Sequence, residues 1–338
     1  MALRDDRPTP EPSPDPILGG VKVIYIGGLG RSGSTLLDLM LGQIPGFFSS
    51  GEIRDLWQRG LRENRLCGCG LPFRDCPFWT EVGREAFGGW ERVDVREALS
   101  LSGAVDRHGL VPLILAPRVN PGFGRKLARY SGILSRLYRA IHEVGGTRVI
   151  VDSSKTPSTA YLLKRVDGVD LRAVHLIRDS RGVAYSWTRE VVRPDVVGRT
   201  EYMRRFGPAR VGFRWVTRNL LMEGLPRAGI PTVRVSYESL VDRPRQELQR
   251  VLAVSGEDVG ASDLDFIADH SVHLRPNHTV MGNPLRMHRG TLRLFLDDEW
   301  KSSMSGPRRA LVTALTWPLL RRYGYGVERR TPPGQQRR

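Results

Sequence analysis

Short apolar runs, separated by amphipathic helical patterns, dominate the sequence. Five of these runs have the length and the β-branched content of buried parallel strands: Val21–Ile26, Phe47–Ser50, Arg148–Val151, Leu171–Ile177 and Thr232–Ser236. The helical patterns lie at Thr35–Leu41, Pro157–Lys164, Arg181–Val191, Phe213–Ala228 and Pro244–Ala253. This alternation predicts an α/β fold, a three-layer sandwich in which helices cover both faces of a parallel sheet of about five strands.

One long segment, residues 57–138, interrupts the alternation. It is rich in Gly, Arg and aromatic residues, and we interpret it as a mostly helical insertion over one end of the sheet. Residues 1–19 are Pro-rich and residues 328–338 are polar and basic, so we expect a disordered leader and a disordered tail. The folded domain is then predicted to span residues 20–327.

The charge is strongly basic but unevenly distributed. The chain has 52 Lys and Arg against 36 Asp and Glu, a net charge of +16. Residues 301–338 alone contain nine basic residues and one acidic residue. Much of the basicity is therefore terminal, which weakens the case for a general nucleic-acid surface and leaves a moderately basic body suited to an anionic ligand. Only five of the basic residues are Lys, so Lys155 within a motif is conspicuous.

The terminal segments and the longest apolar run bear on the cellular location of the protein. The first twenty residues are acidic and Pro-rich, so we expect no signal peptide and a cytoplasmic protein. The longest apolar run, Ala310–Leu320, is about half of the ~20 residues that a membrane-spanning helix needs, and Pro318 interrupts it. The basic C-terminus leaves peripheral attachment to a membrane surface open.

The first predicted strand runs directly into a Gly-rich loop, Gly27–Thr35 (GGLGRSGST), and then into a helix. In this arrangement backbone N–H groups and a helix N-terminus hold a phosphate. The loop is P-loop-like, but Ser34 occupies the position where a nucleoside-triphosphate loop carries its Lys. A kinase would therefore lack the Lys that contacts the β- and γ-phosphates.

Residues Arg31–Leu37 (RSGSTLL) resemble the 5′-phosphosulfate loop of sulfotransferases that use 3′-phosphoadenosine 5′-phosphosulfate (PAPS). Members of that family often carry Thr where this chain has Ser34. The resemblance implies that the loop binds the cofactor through Gly30, Arg31, Ser32, Gly33, Ser34 and Thr35.

Three further segments resemble the same family. Arg178 ends a predicted strand and Ser186 follows eight residues later, which resembles the 3′-phosphate motif. Tyr237 begins a YESL segment that resembles the one reaching the ribose-phosphate end of the nucleotide. Residues 277–286 resemble the cofactor-closing loop of bacterial and tyrosylprotein-like members, which implies cofactor contacts from Asn283 and Arg286. The insertion then becomes a lid on the acceptor side.

Candidate catalytic residues follow two more predicted strands. Ligands of open parallel sheets lie beyond the carboxyl ends of the strands, so we expect these residues to lie near the ligand. Glu52 resembles the general base of the tyrosylprotein and carbohydrate branches, and His278 is its competitor for this role. Lys155 and Arg31 are the candidates for stabilising charge on the departing phosphate. With these cations in place, we expect no metal requirement.

All three cysteines lie within ten residues, in the pattern C-x-C-x₆-C of Cys67, Cys69 and Cys76. Three thiolates could begin a zinc site with His or Asp as the fourth ligand, but the spacing matches no common zinc module. From sequence we prefer structural thiols or a disulfide bond between Cys76 and one of the other two.

The sequence therefore predicts a PAPS-dependent sulfotransferase that leaves 3′,5′-bisphosphoadenosine as product. The acceptor is expected to be a small molecule, a carbohydrate or a glycolipid, modified at a hydroxyl rather than an amine. A P-loop nucleotide-dependent phosphotransferase and a non-catalytic nucleic-acid-binding protein are the alternatives. The oligomeric state is not readable from the sequence.

Overall fold

The computed structural model describes residues 20–326, so the predicted leader and tail lie outside the described residues. The strands are β1 (Val21–Gly28), β2 (Phe47–Gly51), β3 (Val149–Lys155), β4 (Val169–Ile177), β5 (Thr232–Ser236), β6 (Ile267–Ala268), β7 (Ser271–Leu274) and β8 (Gly290–Arg293). The α-helices are α1 (Ser34–Leu41), α2 (Pro77–Phe87), α3 (Val95–Val105), α4 (Val111–Leu115), α5 (Pro121–Gly145), α6 (Pro157–Leu163), α7 (Ser180–Thr188), α8 (Pro208–Glu223), α9 (Tyr237–Asp242), α10 (Pro244–Ser255), α11 (Trp300–Ser303) and α12 (Gly306–Arg322).

The first five strands form one parallel sheet in the order β2-β3-β1-β4-β5. Each of them lies within a few residues of a run predicted from the apolar pattern. Helices pack on both faces, so the predicted α/β class is confirmed. The predicted helix at 181–191 is shorter, because α7 ends at Thr188 and irregular chain follows.

Alternate residues of the central strand, β1, face opposite sides of the sheet and pack in two different hydrophobic cores. Val23 and Tyr25 of β1 pack with the insertion on one face, whereas Ile24 and Ile26 pack with α1, α9 and α10 on the other. All four side chains are fully buried. Burying each such apolar side chain stabilises the fold by roughly 1.5–3 kcal/mol, so a one-residue shift of register would be costly on both faces.

The insertion is helical as predicted, but it covers a face of the sheet rather than one end. Its aromatic residues Trp57, Phe73 and Trp79 are fully buried in the same core as Val23 and Ile150. These side chains are therefore occupied with packing. Helix α5 continues to Gly145, past the predicted boundary at 138, before the chain enters β3.

Two irregularities mark the carboxyl ends of the strands. The register shifts between Tyr25 and Gly27 on β1, and between Ser49 and Gly51 on β2. Such bulges turn the following side chains in a new direction. A small antiparallel sheet, β6-β7-β8, was not predicted. It packs beside α1, and the chain between β7 and β8 closes over this edge of the main sheet.

Candidate functional site

The Gly-rich loop forms a strained turn between β1 and α1. Its backbone has a positive φ at Gly28 (144°), Arg31 (76°) and Gly33 (89°). A Cβ on Gly28 would overlap the carbonyl oxygen of Leu176, and one on Gly33 would lie 2.6 Å from the ring of Tyr237. Glycine is therefore required at both positions, and a turn that mixes positive and negative φ is the kind of backbone that forms anion-binding nests.

Arg31 is a partly buried cation with an incomplete set of partners. Its Nη2 lies 3.2 Å from the sulfur of Met203, its guanidinium stacks 5.5 Å from the ring of Trp187, and its Nε has no hydrogen-bond partner among residues 20–326. Burial, together with the nearby Arg193 and Arg189, lowers the pKa of Arg31. The folded protein therefore holds this positive charge at a cost in free energy, and a bound anion would reduce that cost.

Glu52 and Lys155 form an ion pair at the ends of β2 and β3. Burial alone would raise the pKa of Glu52, but the charge and hydrogen bond of Lys155, with help from Arg59 and Arg193, bring it below its ordinary value. Lys155 has a left-handed φ of 65°. Such strain in a non-glycine residue is often kept where a side chain must be aimed at a functional site.

The backbone of Glu52 is held by residues 277–286, the late loop. Val280 donates its N–H to Ser50 at 2.8 Å and accepts one from Glu52 at 2.7 Å. A Cβ on Gly51 would overlap the carbonyl of Val280, which explains the glycine and its φ of 78°. The predicted base is therefore fixed by a segment more than 200 residues away in the chain.

These elements enclose a cavity of about 360 Å³ at the carboxyl edge of the sheet. Of the predicted site residues, it is lined by Gly30, Arg31, Gly33, Ser34, Thr35, Glu52, Lys155 and Asn283. Its cationic side chains are Arg31, Arg54, Arg59, Lys155, Arg193, Arg204, Arg214 and Arg218, against the carboxylates Glu52 and Asp55. The cavity is thus strongly positive and suits an anion.

Arg218 resembles Arg31 in its environment. Its Nε is buried without a hydrogen-bond partner in the described part of the chain, and its Nη1 makes only a long contact, 3.5 Å, to the carbonyl of Gly28. Burial and the neighbouring Arg214 lower the pKa of Arg218 to about 10. The sequence motifs predict no role for Arg214 or Arg218, although Arg210, Arg214 and Arg218 recur every fourth residue and so share one face of α8.

Arg54 and Arg59 come from the chain just after β2. Arg54 donates to Asp106 at 2.6 Å, and Ser158 and Thr159 also donate to this buried carboxylate. Arg59 lies in a π-helical segment, Leu56–Arg62, a local form often found at functional sites. It is the one residue of the 57–138 insertion that lines the cavity, so the insertion as a lid stays a prediction.

A second wall of the cavity is the irregular segment 189–207 between α7 and α8. Arg193, Met203, Arg204 and Phe206 from this segment line the cavity. It holds itself together through backbone bonds, with Arg193 N–H donating to Glu201 and Met203 N–H donating to Val191. The sequence motifs predict no functional role for this segment.

The residues predicted to bind a 3′-phosphate lie beside the cavity rather than in it. Arg178 is 5% exposed, stacks on Tyr237 with its guanidinium 4.5 Å from the ring centre, and donates to the carbonyl of Arg31 at 3.1 Å. A Cβ on Gly182 would lie 3.3 Å from Arg178 Nε, so Ser186, one turn later on α7, shares that face.

Arg178 already has an anionic partner. It lies 3.0 Å from the Asp297 carboxylate and 2.7 Å from the Asp297 carbonyl, and the N–H of Asp297 donates to the hydroxyl of Tyr237 at 3.4 Å. Among the described residues, Arg178 forms no ion pair with the neighbouring Asp179 or with Asp152. A phosphate at Arg178 would have to displace the Asp297 carboxylate.

The late loop separates its two predicted cofactor residues. Asn283 lines the cavity, and its N–H donates to Thr35 at 3.3 Å. Arg286 does not line it: the side chain is 2% exposed and donates to the carbonyls of Thr279 and Leu66, with Asp195 at 3.6 Å. Arg286 therefore ties the loop to the insertion. Ser32 is also buried and lines no part of the cavity.

His278 lies with the three cysteines instead of in the cavity. Its Nδ1 is 3.3 Å from Cys76 Sγ and 3.9 Å from Cys67 Sγ. Its side chain stacks on Phe78, with ring centres 5.3 Å apart. His278 is thus poorly placed to compete with Glu52 as a base.

Several solved structures are similar to this chain, and two of them are sulfotransferase domains. A sulfotransferase domain from the Synechococcus PCC 7002 olefin synthase is 20% identical and aligns over 92% of this chain and 98% of its own, with a TM-score of 0.49. A sulfotransferase domain from the curacin biosynthetic pathway is 18% identical and aligns over 89% and 98%, with a TM-score of 0.48.

No family model and no curated protein matches the chain. Within residues 20–326, no helix combines the length and apolar character needed to cross a bilayer. The five-stranded parallel sheet confirms the α/β fold class that the sequence pattern predicts.

Proposed function

We propose that this protein transfers a sulfuryl group from PAPS to a hydroxyl of an acceptor. The observation that carries the proposal is the convergence of the Gly-rich loop, the Glu52–Lys155 pair and a set of arginines on one cavity. A sulfuryl group and a leaving phosphate are both anionic, and cationic side chains from several elements line the cavity.

The unsatisfied donors support an anionic ligand. Arg31 and Arg218 each keep a buried Nε without a partner among the described residues. Leaving such a group unpaired costs about 1–3 kcal/mol, more for a charged group, and an anion bound in the cavity would offset this cost. The neighbouring loop amides and the hydroxyls of Ser34 and Thr35 would complete the coordination of a phosphosulfate.

The reaction needs three events. The acceptor hydroxyl loses its proton to the Glu52 carboxylate, its oxygen bonds to sulfur, and the bond from sulfur to the 5′-phosphate oxygen breaks. Arg31 and Lys155 would neutralise the negative charge that grows on that phosphate. The acceptor leaves as a sulfate ester, and 3′,5′-bisphosphoadenosine leaves as the other product.

The ion pair suggests how Glu52 becomes a competent base. Lys155 keeps the pKa of Glu52 low in the structure. If Lys155 turns toward the leaving phosphate, Glu52 loses the charge that lowers its pKa and gains basicity. General-base catalysis contributes typically ~10²–10⁴-fold, so this exchange of partners would matter for the rate.

Recognition of the 3′-phosphate is assigned to Arg178, with Ser186 and Tyr237 nearby. A dianionic phosphate is a stronger partner for a guanidinium than one carboxylate, because it accepts two charge-assisted hydrogen bonds. Asp297 would then move away from Arg178. The acceptor class remains a carbohydrate, glycolipid or small molecule with a hydroxyl, bound between Glu52, Lys155 and the 189–207 wall.

The test is mass spectrometry of a cell extract, or of a panel of hydroxyl compounds, incubated with PAPS and the protein. We expect an acceptor to gain the mass of a sulfuryl group, and Glu52→Gln to lower kcat by roughly a hundredfold or more while bisphosphoadenosine binding stays unchanged. Glu81→Gln changes a carboxylate on α2 that is 42% exposed and lines no part of the cavity, so this matched control should behave like the wild type.

Two results would contradict the assignment. Phosphate transfer from ATP that requires Mg²⁺ would favour the phosphotransferase alternative. Sulfuryl transfer that survives Glu52→Gln within a few-fold would retain the reaction but remove Glu52 as the base.

A further inference from the structure

Four side chains that the proposed reaction does not use meet away from the cavity. They are Cys67, Cys69, Cys76 and His278, whose sulfur and nitrogen atoms all lie within 4.8 Å of one another. We propose that this thiol–imidazole cluster is a structural zinc site. The three cysteines come from the insertion and the histidine from the late loop, so the ion would link two segments about 200 residues apart.

The distances fit tetrahedral coordination. Zn–S bonds of about 2.3 Å and Zn–N bonds of about 2.0–2.1 Å put the sulfurs about 3.8 Å from one another and about 3.6 Å from the nitrogen. In the structure Cys69 Sγ lies 3.7 Å from Cys76 Sγ, and His278 Nδ1 lies 3.3 Å and 3.9 Å from Cys76 and Cys67. A zinc ion at the centre needs only small shifts.

The ligand set also identifies the kind of site. Three thiolates and one imidazole fill all four positions around zinc, which leaves no place for water or substrate and is typical of a structural site. Each thiol would release its proton to solvent on binding, and His278 would bind through an unprotonated Nδ1 with its hydrogen on Nε2. Cys67 and Cys76 are buried, so the ion would be shielded from competing ligands.

The surroundings hold the ligands in place before any ion binds. Gly68, between two of the cysteines, donates its N–H to the carbonyl of Thr279 at 3.0 Å, which brings the two segments together. Trp79 Nε1 donates to the carbonyl of His278 at 2.7 Å, and Phe78 stacks on the imidazole at an angle of 17°. Such outer contacts fix the orientation of metal-binding side chains.

A disulfide bond explains this arrangement less well. The Cys69–Cys76 pair is 3.7 Å apart, whereas a disulfide needs about 2.05 Å. It would also leave the third thiol and the inward-facing Nδ1 of His278 without a role. The sequence alone favours structural thiols or a disulfide, because nothing in the spacing of the cysteines shows that His278 joins them.

The position of the cluster indicates which part of the fold the zinc ion would stabilise. Val280, two residues after His278, holds the backbone of Ser50 and Glu52. Fixing His278 to the insertion would therefore fix the end of β2, where Glu52 enters the cavity. The zinc assignment itself depends only on the cluster and stands whether or not the chain transfers sulfuryl groups.

The test is metal retention by the full chain. Reduced protein is incubated with one equivalent of Zn²⁺, dialysed against a weak chelator and analysed by inductively coupled plasma mass spectrometry. We expect about one zinc per chain in the wild type. Cys69→Ser changes the partly exposed ligand and should lower zinc affinity by more than the ~10–100-fold typical of losing an outer contact. His273→Ala, an exposed histidine on β7, is the control and should retain the ion.

Cobalt provides a measurement that does not depend on a variant folding. Wild-type protein loaded with Co²⁺ should show the intense visible bands of tetrahedral coordination and a thiolate charge-transfer band. A weak octahedral spectrum, wild-type protein without retained zinc, equal retention by Cys69→Ser, or a Cys69–Cys76 disulfide in freshly purified protein would each overturn the assignment.

Discussion

Replacing Arg218 by Met should stabilise the free protein and weaken its binding of anions. Methionine matches the arginine side chain as far as about Nε and has a similar helix propensity, so α8 should keep its shape. The substitution removes the guanidinium with its charge and its donors. Opposite effects on stability and binding distinguish a binding group from a structural one, since loss of a structural arginine would destabilise the fold.

The magnitude follows from the environment of the guanidinium. Burial and Arg214 lower the pKa of Arg218 to about 10. At about 1.4 kcal/mol for each pKa unit, the charged form is destabilised by about 3 kcal/mol in the folded state. Water reaches this partly exposed side chain, so we discount the figure to about 1–2 kcal/mol. The melting temperature should rise by about 2–4 °C.

The binding side of the prediction uses the value of one charge-assisted hydrogen bond. Losing about 1.5–3 kcal/mol raises the dissociation constant for 3′,5′-bisphosphoadenosine by about 10–150-fold. Differential scanning fluorimetry without ligand measures the first effect, and isothermal titration calorimetry measures the second. Both are done at one ionic strength, because salt screens the cavity.

The matched control is Arg227→Met, which removes an exposed arginine from the turn after α8. It should change neither the melting temperature nor the nucleotide affinity appreciably. A lower melting temperature for Arg218→Met, together with unchanged bisphosphoadenosine affinity, would refute the reasoning that Arg218 waits for an anion.

Three further predictions follow from other contacts. Asp297→Asn frees Arg178 from its carboxylate, so calorimetry should show affinity for 3′,5′-bisphosphoadenosine rising about tenfold while that for AMP barely changes; equal gains for both would separate Arg178 from the 3′-phosphate. Burial raises the pKa of Asp38 to about 8, so the folded state binds a proton that the unfolded state has lost, and the free energy of unfolding should fall as pH rises from about 5 to 8. Urea denaturation of Asp38→Asn should show a flatter dependence, and an unchanged slope would contradict the assignment. Sulfuryl transfer should persist through a brief EDTA treatment, because Arg31 and Lys155 supply the positive charge; activity lost and restored by Mg²⁺ would count against the proposal.

The fold and part of the site were predictable from local sequence. Strand and helix periodicities gave the five strands, and the rule that ligands lie at strand ends brought Glu52, Lys155 and the Gly-rich loop to one edge. All three now line one cavity. These residues were accessible to sequence reasoning because each directly follows, or ends, a strand whose direction is fixed by the parallel sheet.

The remaining parts depend on contacts between distant segments. Arg193 reaches the cavity through an irregular loop whose path no periodicity describes. Arg286 was assigned to the cofactor from its motif, but Asp195 and nearby carbonyls hold it in the interior. Asp297 at Arg178, and His278 among the cysteines, likewise join residues more than 100 positions apart. Spacing along the chain carries no signal for such pairs.

The irregular wall at 189–207 has a consequence for how this protein can diversify. It presents Val197 and Tyr202 largely to solvent, and its ends are anchored on α7 and α8. Insertions and replacements in such surface loops leave the apolar interior untouched, so they change ligand preference at little expense in folding free energy. New specificities can therefore accumulate here by gradual mutation, while the loop and ion pair that would perform the chemistry stay as they are.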